Sequence, residues 1–137
     1  MTRTDKTLAQ QLFALVRLPV TVRATIKRSR LRWRGDLQPS PLSESYEVDL
    51  AYAIGDGAPD VRVLRPNLHF GDVGSLPHVY SGDRLCLCYP RQWDGSQLIA
   101  RTVVPWASEW LLHFELWKAT GKWHGGGHEP AVDPRPT

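Results

Sequence analysis

The chain has 137 residues, 42% of them hydrophobic and 23% charged, which fits one globular domain and excludes a disordered chain. Its formal net charge of +3 points to no particular partner, although seven basic residues fall between Arg17 and Arg34 with no acid among them. No apolar run nears the roughly 20 residues that span a bilayer, and Thr2–Gln11 lacks a secretory signal pattern, so no membrane contact and a cytoplasmic location with reduced thiols are expected.

Thr4 or Asp5 is placed to cap a first helix, in which Leu8, Leu12, Leu15 and Val16 recur at helical spacing. Pro19 lacks the amide proton that would continue it, so this helix ends by Leu18. From Val20 the period changes to two, with Val20, Val22, Ala24 and Ile26 alternating with Thr21, Arg23, Thr25 and Lys27. The apolar positions then shift to Leu31 and Trp33, which requires a turn near Lys27–Arg30 or a bulge. Gln38–Ser43 reads as a loop. Beyond it, Tyr46, Val48, Leu50, Tyr52 and Ile54 alternate with water-facing Glu47 and Asp49. Gly55–Pro59 reads as a turn, and Val61, Val63 and Leu64 supply a further strand. The predicted order is a helix followed by an antiparallel meander of three or four strands.

Leu76–Trp93 holds both cysteines, Cys86 and Cys88, together with His78. Turn formers precede the thiols (Pro77, Ser81-Gly82-Asp83) and Pro90 follows them, so the segment reads as an ordered loop. Ser96–Thr102 is a short strand or a bridging turn. Pro105 suits the first turn of a helix, where its missing donor costs nothing, and Trp106, Trp110, Leu111, Phe114 and Trp117 give that helix a wide apolar face. Gly121 is its natural stop. The glycine-rich tail after it carries His124 and His128. A single domain over residues 1–129 and a disordered tail over 130–137 are expected.

The thiols allow three readings. Cys86, Cys88, His124 and His128 would form a metal site if the tail folds back, although Cys-x-Cys is tighter than usual zinc spacing. A single thiol would serve as a nucleophile, since a free cysteine with a pKa of about 8.5 carries some thiolate at neutral pH, and nearby Arg84 would raise that fraction. Both thiols are equally compatible with small buried side chains. The tryptophans on the last helix belong to a core, while Trp93 and Trp123 lie where they would cover the cysteine loop or simply pack. The basic hairpin from Arg23 to Arg34 carries no nucleic-acid reading motif, so a wet sheet face is expected there and nucleic acid is not.

Helix, meander, cysteine loop and helix is the order of the ubiquitin-conjugating enzyme (UBC) fold, an α+β architecture, and the loop resembles that family's signature. There a His-Pro-Asn triplet precedes an aliphatic-Cys-Leu triplet bearing the catalytic thiol. Leu76-Pro77-His78-Val79-Tyr80 falls on the first and Leu85-Cys86-Leu87 on the second, at the same separation. More narrowly, the chain resembles the ubiquitin-conjugating-like proteins of bacterial CBASS antiphage operons. That likeness rests on Leu31-Arg-Trp-Arg-Gly, Pro39-Ser with Tyr46 beyond, Pro90, Trp93, Trp110-Leu, Phe114-Glu-Leu-Trp and Thr120-Gly-Lys-Trp-His-Gly-Gly-Gly-His.

The resemblance implies a cysteine-dependent acyl transferase that carries, as a thioester, the C-terminal tail of a cGAS/DncV-like nucleotidyltransferase and passes it to a target-protein amine. No cofactor is implied. The 137 residues leave no room for an activating-enzyme domain, which matches the short form of such systems. Cys86 is selected as the nucleophile and Cys88 as its neighbour. His78 stands where the family has the asparagine that supports the oxyanion, and an imidazole N–H is able to donate that bond. His128, and behind it His124, would act as a base if Gly125–Gly127 turn the tail back. Tyr80, Trp93 and Trp123 are the expected substrate contacts. Asp94 is the nearest stand-in for the acid that assists an attacking amine. A non-catalytic adaptor that binds the synthase, or a structural zinc module, is the alternative.

Overall fold

The computed structural model describes residues 4–68, 79–80, 83–87 and 92–123. Helix α1 spans Leu8–Val16, and its cap is Thr7 rather than Thr4 or Asp5. Thr7 wins because Gln10 sits three residues on: the Thr7 hydroxyl accepts from the Gln10 N–H at 3.1 Å, and the Thr7 N–H donates back to the Gln10 side chain at 2.8 Å. Leu15 is fully buried, but Val16 is half exposed, and the polar Gln11 takes the place expected of an apolar residue.

Four strands follow as an antiparallel sheet in the order β1-β2-β3-β4: β1 Thr21–Lys27, β2 Arg30–Leu37, β3 Tyr46–Tyr52 and β4 Asp60–Arg65. The turn from β1 to β2 is made by Arg28 and Ser29, both at positive φ (52° and 60°), the signature of a two-residue hairpin matched to sheet twist. A bulge between Thr21 and Arg23 breaks the even alternation expected of β1 and leaves Val22 exposed. In β2 and β3 the alternation is strict. Leu31 faces Tyr52, Trp33 faces Leu50, Gly35 faces Val48 and Leu37 faces Tyr46, and the seven side chains of these pairs lie in the core. Gly35 is required there, since a Cβ would collide with the Trp33 ring and lie 3.0 Å from the Val20 carbonyl oxygen. Strand β3 ends at Tyr52, so Ile54 falls in the next turn and is exposed.

Ile99–Arg101 forms a 3-10 turn rather than a strand, and it leads into helix α2, Val103–Thr120. Pro105 lies in the first turn of α2, and Gly121 ends it in the left-handed conformation (φ 77°) with its N–H bonded to the Trp117 carbonyl at 2.7 Å. Val103, Ala107, Trp110, Leu111 and Phe114 share one core with the inner sheet face and Leu15. The arrangement is the predicted α+β fold: an N-terminal helix, a four-stranded meander and a C-terminal helix, consistent with a UBC-like fold.

Candidate active site

Between β4 and the 3-10 turn lies a small hairpin, β5 Val79–Tyr80 against β6 Arg84–Leu85, with Val79 opposite Leu85 and Tyr80 opposite Arg84. Asp83 enters β6 at φ 59°, a left-handed position that Asp tolerates better than most residues. The segment expected to be an ordered loop therefore carries a short ladder, and Cys86 is the residue that follows it. Cys86 is a buried cysteine, 6% exposed. Leu85 before it is buried in the core and Leu87 after it packs against that core, so the two leucines bracket the thiol.

Arg84 holds the hairpin to the main sheet. It is 6% exposed, and its Nη1 stands 3.5 Å from Oδ1 of Asp60, the first residue of β4. A guanidinium taken this far out of water is retained only with compensating partners.

Downstream of the thiol, two anchors fix the path to α2. Trp93 is buried, its ring edge-on to Tyr52 at 5.4 Å, and its Nε1–H donates to Thr102 Oγ1 at 3.0 Å. Thr102 in turn donates to the Leu98 carbonyl at 2.9 Å. The second anchor is Gln11, with no exposed surface: its Nε2 donates to the Gln97 carbonyl at 2.9 Å, and its Oε1 accepts from the Ile99 N–H at 2.9 Å. One α1 side chain thus satisfies both polar groups of the bend that precedes α2. Asp94, the candidate acid, uses Oδ1 to accept from the N–H and hydroxyl of Ser96, which shapes its own turn.

Trp123, just past the α2 cap, lies over α2 itself, 5.5 Å from Trp110 and 5.9 Å from His113. Of the sequence-derived site, the structure thus places Cys86 beside the β5–β6 ladder, Trp93 in the core and Trp123 on the last helix. Tyr80 is described by its backbone in β5, whereas His78, Cys88, His124 and His128 lie outside the described residues. Among the described residues no group of three or more His, Cys, Asp or Glu is arranged to hold a metal.

Sequence reasoning missed two structural groups. Gln11 left a trace, as a polar residue three after Leu8 inside an apolar stripe; the Asp60–Arg84 pair left none, because it joins residues far apart in the chain. A third link, from loop 38–45 to α2, was also unforeseen: Glu115 accepts from Ser43 Oγ at 2.6 Å and from the Tyr46 hydroxyl at 2.7 Å. Burial first, then the Glu115 hydrogen bond and the charges of Glu115 and Glu44, push the Tyr46 phenol well above its usual pKa of 10.0.

No curated protein matches the chain. The family model described as "Type II CBASS E2 protein" matches residues 11–130, from the buried Gln11 past the cysteine hairpin and α2 into the tail. A match over most of the length, on a fold of this order, decides the assignment: the chain belongs to the family of Type II CBASS E2 proteins.

Proposed function

We propose that Cys86 is the acyl-carrying thiol of this protein, and that its acyl group is the C-terminal tail of the cGAS-like nucleotidyltransferase of its CBASS system. Membership of an E2 family within CBASS gives the coarse role. The observation that carries the finer one is the position of Cys86, a buried thiol held between two core-anchored leucines at the end of a ladder pinned to β4. The thiolate attacks the carbonyl carbon of an activated tail, and a bond from carbon to the activating group breaks as the thioester forms. A free carboxylate is too poor an electrophile for that step, so the tail arrives as an acyl-adenylate or thioester. An amine of a target protein then attacks the thioester carbon, the thiol leaves, and an amide remains. His78 is assigned to the oxyanion and His128 to the proton of the incoming amine, with Tyr80, Trp93 and Trp123 shaping the bed of the tail.

The test is adduct formation with the synthase in cells. Cys86→Ala is expected to abolish covalent adducts, whereas Cys88→Ala leaves most of them. A stable adduct in the Cys86→Ala protein would overturn the assignment. The burial of Cys86 favours one competing reading, a non-catalytic adaptor in which the thiol only packs. Normal regulation of the synthase by Cys86→Ala protein would establish that reading instead.

A further inference from the structure

The outer face of the β1–β2 hairpin is built against its own stability. Arg23 stands directly opposite Arg34 and Lys27 directly opposite Arg30, with Arg32 between them opposite Thr25. Like charges in direct cross-strand register repel, and sheets ordinarily place opposite charges there. Of these residues, Arg34 alone makes an ion pair among the described residues, 3.6 Å from Glu47, and the cations of this ridge are exposed. Arg23, Lys27, Arg32 and Arg34 line a groove together with Thr25, Trp33 and Asp49.

We infer that this ridge is a docking surface for an extended acidic polypeptide segment of a partner protein. Alternate residues on a strand stand about 7 Å apart, so Arg30, Arg32 and Arg34 match the spacing of an extended chain with an acid at every second position. Arg23 and Lys27 flank the same line from the adjacent strand, about 5 Å away. The ridge is narrow: on β3 the next positions of this face are Glu47 and Asp49, opposite Asp36 and Arg34, and this acidic line parts the ridge from Arg62 and Arg65 on β4. Trp33, the aromatic of this hairpin, is only 1% exposed and offers no stacking platform to bases. Cations left facing one another, a strip two strands wide and an acidic border together fit one narrow, extended acidic chain.

The probe is a labelled synthetic peptide alternating Glu and Ser, titrated with the full-length protein at physiological salt and followed by fluorescence anisotropy. Saturable binding is expected, with the Lys-Ser peptide showing none. Arg23→Glu with Arg32→Glu is expected to weaken binding by about tenfold or more while the melting temperature holds or rises, because the repulsion between Arg23 and Arg34 is relieved. Arg23→Gln with Arg32→Gln gives a smaller loss in the same direction, and Arg101→Glu, away from the ridge, gives none. Preferential binding of a labelled single-stranded oligonucleotide would make the ridge a nucleic-acid surface and overturn the inference. Absence of peptide binding, or binding unchanged by both double variants, would reduce it to a solvated sheet face.

Discussion

Gln11 is the most exacting test of how the fold holds the bend that precedes α2. Its amide makes one hydrogen bond with each end, to the Gln97 carbonyl and the Ile99 N–H, at zero exposure. Gln11→Ala strands both backbone groups and opens a small void. Each buried group left without a partner costs about 1–3 kcal/mol, and the lost side-chain carbons add about 1 kcal/mol more. The expected loss is therefore about 3–7 kcal/mol, a large part of the roughly 5–15 kcal/mol that holds a domain of this size together. Urea unfolding followed by tryptophan fluorescence measures it. Gln11→Leu, which keeps the volume, should recover only the packing part. Gln11→Glu keeps the acceptor for Ile99 but turns an oxygen towards the Gln97 carbonyl, so it should be at least as damaging at neutral pH and relieved when acid protonates it. A loss below about 1 kcal/mol in Gln11→Ala would refute this account of the anchor.

The Asp60–Arg84 pair and the Tyr46–Glu115 latch are tested in the same way. Asp60→Ala, which removes a half-buried partner of a buried guanidinium, should cost about 1–3 kcal/mol and raise hydrogen exchange at Leu85 and Cys86; unchanged exchange there would detach the pair from the hairpin. Tyr46 and Tyr52 both have raised pKa values, burial being the first cause in each. Their folded phenols stay protonated where an unfolded tyrosine, at about 10, has released its proton, so this stabilising contribution is complete below that pH and is lost as pH rises beyond it. Tyr46→Phe should flatten the fall in stability between about pH 9 and 11, and an unaltered slope would assign that dependence elsewhere.

What the sequence revealed is what local periodicity encodes. The inner faces of β2 and β3 were readable residue by residue, because alternation from Leu31 to Leu37 and from Tyr46 to Tyr52 is uninterrupted. The start and stop of α2 were likewise visible in Pro105 and Gly121. The misreadings have local causes of another kind. A bulge moved Val22 outward, and the reciprocal bond with Gln10 gave the cap to Thr7 over Thr4 and Asp5. At the site, the leucines around Cys86 were legible as a motif, whereas the groups that position its hairpin and the bend before α2 were not. Asp60 with Arg84, and Gln11 with residues 97 and 99, are tertiary pairings that no spacing rule predicts. Trp123 shows the same limit, since its place over Trp110 and His113 depends on the turn after Gly121.

The central claim concerns one bond, and peptide mapping by mass spectrometry reads it directly. Protein isolated in covalent complex with the synthase, digested without reductant, is predicted to yield the synthase C-terminal peptide joined to the peptide containing Cys86. The joined mass should show the loss of one water, and hydroxylamine should cleave the link. A link through Cys88, or a mass showing instead the loss of two hydrogens and release by reductant, would contradict the account of Cys86 as the acyl carrier.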